Sequence, residues 1–154
     1  MIGLKPLIGE KYSSTIILIR LMVGAVFLSE GIQKFLFPAV RGAGRFIKIG
    51  LPIPEFLSYV VASFEVVCGI LILLGLITRI AAIPLIITML VAIASTKFPI
   101  LLNEGFWSMA HAARTDFSML LGSLFLFFNG GGKYSLDEYR TSRIPYPPSK
   151  ITDP

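Results

Sequence analysis

Seven residues in this 154-residue chain combine a reactive side-chain type with a position inside or beside an apolar run: Arg20, Glu30, Lys34, Glu65, Trp107, His111 and Asp116. An ionised group at the centre of a membrane span costs roughly 2.5 to 3.5 kcal/mol on insertion scales, so each must meet a partner, a water-filled space or a proton. Glu65, His111 and Asp116 are the groups able to pass protons. Arg20, Glu30, Lys34 and the Trp107 indole are placed to hold a polar head group. The chemistry expected of such a set is proton transfer at an amphipathic ligand whose head needs donors and acceptors and whose isoprenoid tail needs apolar walls, a description that fits a quinone.

Other chemistries are excluded by counting. Cys68 is the only cysteine and His111 the only histidine. No internal disulfide, Cys-x-x-Cys pair, bis-histidine haem, multi-histidine zinc site or di-iron carboxylate site can be built from this chain alone, so no metal is expected. Gly132 and Lys133 are not a phosphate loop, because Tyr134 stands where the hydroxyl ligand belongs.

The elements that must position these residues are apolar helices. The chain is 55% hydrophobic and 15% charged, against roughly 25% charged in soluble domains. The pattern predicts an all-α integral membrane protein, a four-helix bundle with spans at about 15–37, 55–78, 80–98 and 110–129 and loops between them. Between the first two spans, Arg41, Arg45 and Lys48 alternate with apolar residues, predicting a short interfacial helix. Pro99 is expected to close the third span and Asn103 to Met109 to form the next loop. The membrane domain is placed at 1–137 and a polar, proline-rich tail at 138–154, with Ser135 and Glu138 in capping-box spacing before it. A signal peptide is a poor reading of the first run, since no small-residue cleavage site follows.

Two stripes follow from helical periodicity. Arg20, Gly24, Phe27, Gly31 and Lys34 share one face of the first helix, and Glu65, Gly69, Ile72 and Leu76 one face of the second. Both should face protein, the glycines permitting close approach. Glu30 precedes Lys34 by four residues, the favourable order for a pair along one helix. Alternating direction brings Glu30, Lys34, Lys97, His111, Arg114 and Asp116 to one half of the bilayer, with Glu65 nearer the midplane. A buried salt-bridge network that only fixes helix register is the competing reading.

The net charge of +5 comes from 14 scattered Lys and Arg rather than a basic stripe, which argues against nucleic acid. Counting cations by loop puts seven on the side of both termini and five on the other, favouring cytoplasmic termini in an inner membrane.

Arg20 with Gly24, Phe27, Gly31 and Lys34, then Glu65 with Gly69, then Gly75, Leu76, Thr78, Arg79 and Ala82, and finally the GGGKYSLD segment of Gly130 to Asp137, together resemble the DoxX family of small membrane proteins. The resemblance implies a four-helix membrane fold and association with redox complexes, including relatives of the thiosulfate:quinone oxidoreductase membrane subunit. The expectation is a membrane subunit of a quinone-linked oxidoreductase complex, partnered by the lipid bilayer and other redox subunits and open to homo-oligomerisation. The alternatives are a non-catalytic assembly subunit and, more weakly, a small-solute or proton transporter, the last disfavoured by the lack of an inverted repeat.

Overall fold

A computed structural model describes residues 14–141. The tail beyond 141, and the cations Lys5, Lys11, Arg143 and Lys150 used in the charge count, lie outside the described residues. Among the described residues there is no strand. The helices are α1 (Ile16–Leu36), α2 (Ala43–Lys48), α3 (Pro54–Leu74), α4 (Thr78–Ala92), α5 (Phe98–Glu104), α6 (Phe106–Asn129) and α7 (Leu136–Thr141), with a π turn at Ile93–Lys97 joining α4 to α5.

Three helical stretches are long and apolar enough to cross a membrane: Ile16–Leu36, Pro54–Leu74 and the continuous Thr78–Glu104. At 21 residues and 1.5 Å per residue, α1 and α3 are each about 31 Å long, close to the roughly 30 Å hydrocarbon core. Their outward faces expose Leu18, Phe56, Phe64 and Val67, as lipid-facing surfaces do.

The ends of α3 are written in its sequence. Pro54 opens it at a position where no amide donor is needed. Gly75 closes it in the left-handed conformation (φ 67°), with Leu76 N donating to Leu71 O at 2.9 Å and Gly75 N to Ile72 O at 3.0 Å, the paired bonds of a Schellman cap. The second span therefore ends four residues before its predicted limit, and α4 starts at Thr78 rather than 80.

The third span departs further from expectation. Pro99 does not close it: the helix runs on to Glu104, and the loop expected from Asn103 to Met109 shrinks to a corner at Gly105. A proline ring clashes with the carbonyl four residues back and cannot donate to it. Here the π turn immediately before α5 changes the register of the ladder, and Pro99 falls in the first turn of the segment that follows.

The close contact is between α1 and α3. A Cβ built on Gly69 would lie 2.9 Å from Leu28 N and 3.0 Å from Gly24 O, and one on Gly31 2.9 Å from Ala62 O. Both predicted stripes thus face protein through their glycines. Gly69→Ala forces backbone apart and is expected to lower stability in detergent by about 1–3 kcal/mol, read from thermal melting; an unchanged melting temperature contradicts this packing. Val23, Phe27, Ile72, Leu85 and Leu126 fill the core between the four long helices. Helix α6 packs along α4, and Gly122 admits Val23 and Met22 of α1.

Candidate functional site

The elements that place the charges are the second half of α1, α2, the first half of α3, the end of α4 with its π turn, and α6. Where they diverge they enclose a cavity of about 330 Å³. Lys34 extends from α1 and its Nζ donates to Glu65 Oε2 of α3 at 2.5 Å. The pair is nearly sealed: the Glu65 side chain is 2% exposed and that of Lys34 11%. Glu30 stands at the rim, with Oε2 4.0 Å from Lys34 Nζ and Oε1 4.0 Å from Arg41 Nη1. A charged chain Arg41–Glu30–Lys34–Glu65 therefore leads from an exposed end to a buried one.

On the other side Lys97, the last residue of the π turn, pairs with Asp116 of α6 at 3.0 Å. Asp116 Oδ2 is inaccessible to solvent and has the Lys97 ammonium as its partner. The apolar part of the lining includes Phe27, Phe46, Leu57 and Met119.

Glu30, Lys34, Glu65 and Asp116 are thus brought to one cavity. The other three predicted site residues are not. Arg20 lies at the opposite end of the bundle, 3% exposed, with Nε donating to Ile72 O at 3.0 Å, Nη2 to Leu73 O at 2.7 Å, and Nη1 to Tyr134 O at 3.1 Å and Gly131 O at 3.3 Å. Its guanidinium gives four of its five N–H donors to the last carbonyls of α3 and the glycine-rich loop, and its burial closes it to a ligand head group in the cavity. His111 is on an exposed face of α6, its Nε2 2.5 Å from Arg114 Nη1. Trp107, in the first turn of α6 because the loop contracted, is 83% exposed and does not line the cavity.

Sequence reasoning missed Arg45, Thr88, Ser95 and Thr96, all of which line it. Arg41 stands in the turn before α2 and Arg45 within that helix, and both line the cavity. It also missed Asp137, whose carboxylate caps α4 by accepting from Ile77 N at 2.7 Å and from Thr78 N at 3.0 Å. The capping box at Ser135 is present on one side, Glu138 N donating to Ser135 Oγ at 3.1 Å.

The DoxX family model matches residues 15–97. The chain is 53% identical over 135 residues to Uncharacterized membrane protein Rv3486 of Mycobacterium tuberculosis, covering 84% of this chain and 83% of that one. It is 32% identical over 126 residues to CatD of Bacillus subtilis, whose name assigns it provisionally to the oxidoreductases, covering 80% of this chain and 84% of the relative. No solved structure matches the chain significantly.

Proposed function

The chain belongs to the DoxX family, and from that premise we propose that it is the membrane subunit of a quinone-linked oxidoreductase complex in a bacterial or archaeal inner membrane. The observation that carries the reading is the cavity: ionisable groups from α1, α3 and α6 converge on one space with an apolar lining. Its residues suit a quinone head. Lys34 and Arg45 offer donors to ring oxygens, and Phe27, Phe46 and Met119 offer contact to the ring. A bound quinone supplies two-electron, two-proton redox chemistry to whichever partner subunit delivers the electrons. The chain's own part is to hold the head and to move protons between Glu65 and the rim at Glu30.

In this reading α6 is the fourth span. It has 24 residues, packs along α4, and carries its polar residues in the half that faces the cavity end. With four spans both termini share a side, which we place in the cytoplasm, and α2 lies at the opposite interface with Lys48 toward head groups.

The test is extraction of the purified protein. Quinone is expected in the lipid extract from mild detergent at about one per chain; its absence overturns the proposal. The assembly reading has its own support in Arg20, a buried charge devoted entirely to backbone carbonyls. It predicts that loss of Glu65 lowers recovery of the complex without altering quinone turnover in what survives.

A further inference from the structure

At the end of the bundle where Gly75 turns the chain, α3 and α4 are sealed together: Cys68 and Ile72 of α3 and Ala81 and Leu85 of α4 are each 5% exposed or less. Beyond that layer the seal opens. Leu57 and Val61 precede Cys68 at helical intervals of four and seven, so they share its flank of α3, and both line the cavity. Ile87 and Val91, four apart on α4, line it too, yet they are 56% and 46% exposed. Side chains that bound a cavity and also meet the surroundings mark an opening in its wall. The two edges of this opening stand at one level. Val61 lies 13 residues before Leu74, the last residue of α3, and Val91 lies 13 after Thr78, the first of α4. Each is therefore about 20 Å from the Gly75 turn, inside a hydrocarbon core of roughly 30 Å.

The cavity has a second exposed border, of different character. Arg41, Arg45 and Thr115 also combine a place in the lining with exposure, and Glu30 stands 4.0 Å from Arg41. That border is polar and suits water and protons. The border between α3 and α4 is apolar at Leu57, Val61, Ile87 and Val91, and the hydroxyl beside them, Thr88 Oγ1, donates to Pro84 O of its own helix at 2.9 Å. A hydrated solute would have to shed its water there with nothing to replace it.

Resting on the quinone reading above, we infer that the gap between α3 and α4 is a lateral portal. The ligand reaches the cavity from within the bilayer, its head seated among the charges and its alkyl or isoprenoid tail running out between Val61 and Val91 into the acyl chains. A tail drawn through the polar border would be moved into water methylene by methylene, whereas in the gap it exchanges one hydrocarbon neighbour for another. The occupant is a membrane-resident amphiphile rather than a solute delivered from water.

The full-length protein in lipid nanodiscs is photolysed with a benzoquinone whose decyl tail carries a diazirine, with and without excess decyl-benzoquinone, and the labelled peptides are mapped by mass spectrometry. An alkyl diazirine lacking the head is the control for lipid-facing surface. The expected result is labelling around Val61, Ile87 and Val91 that the competitor abolishes, while the headless probe marks outward residues such as Phe64 and Val67 without competition. Competed label on α1 and α6 around Glu30 and Thr115 instead overturns the portal and leaves the quinone site standing, whereas no competed label anywhere overturns both. Val91→Trp overfills the gap and is expected to cut the competed labelling about tenfold; Val67→Trp, on the outward face, leaves it unchanged. Undiminished labelling in Val91→Trp contradicts the portal. The wild-type map requires no substitution, so the inference stays testable if that variant does not fold.

Discussion

Glu65→Ala is expected to destabilise the bundle by about 3–5 kcal/mol, while Lys34→Met combined with Glu65→Leu leaves stability at or above that of the wild type. The asymmetry follows from burial. Lys34 reaches Glu65 at 2.5 Å in a place where the carboxylate is 2% exposed. Removing the acid alone leaves an ammonium among Phe27, Val61 and the lipid-facing helices, with only Glu30 at 4.0 Å to answer it. Removing both deletes the desolvation cost along with the attraction, and the remaining side chains pack as hydrocarbon does. Thermal melting in detergent reads both variants. The double variant also separates the two readings of the site: retained stability with loss of bound quinone marks the pair as ligand machinery, and retained stability with quinone still bound marks it as a register device alone.

The second large effect belongs to Arg20. Arg20→Ala is expected to cost about 3–5 kcal/mol and to release the segment from Gly130 to Arg140 from the bundle. Four backbone carbonyls from two distant parts of the chain accept from one guanidinium, so its removal orphans the end of α3 and unfastens the glycine-rich loop together. The loop in turn positions Asp137 as the cap of α4. Arg20→Lys recovers little, since an ammonium is a point charge that cannot fork toward carbonyls on opposite sides. Protease cleavage after Lys133 or Arg140, slow in the wild type and fast in the variant, checks the release; equal rates contradict the clamp.

Much of this arrangement was legible in the sequence because hydrophobic periodicity and charge burial are local signals. The stripe from Arg20 to Lys34 names the buried face of α1, and Glu65, Gly69 and Ile72 name that of α3. The meeting of Lys34 with Glu65 follows from the antiparallel order of two spans and the cost of leaving either charge alone in hydrocarbon. What periodicity cannot supply is how far along the bundle a side chain reaches or what it finds there. Arg20 and Lys34 lie on one stripe, yet 14 residues separate them, and each serves a different end. The same limit misplaced Trp107 and His111: the loop expected to hold Trp107 depended on Pro99 ending a helix, a stop that a single π turn cancelled, and His111, expected inside the fourth span, lies on its exposed face. The hydroxyls of Thr88, Ser95 and Thr96 were silent for another reason. Small polar residues within an apolar helix usually bond to their own backbone, as these do, and only the shape of the cavity reveals the lone pairs left over.

The continuous rod from Thr78 to Glu104 has 27 residues. At 1.5 Å each it measures about 40 Å, some 10 Å more than a bilayer's oily interior, a hydrophobic mismatch that tilt or protrusion must absorb. If it protrudes at the cavity end, the elbow at Gly105 becomes a knuckle standing in water, and the bare indole at 107 anchors at head-group depth. Membrane thickness then governs how far this helix tilts, thicker lipid standing it upright and drawing the knuckle inward.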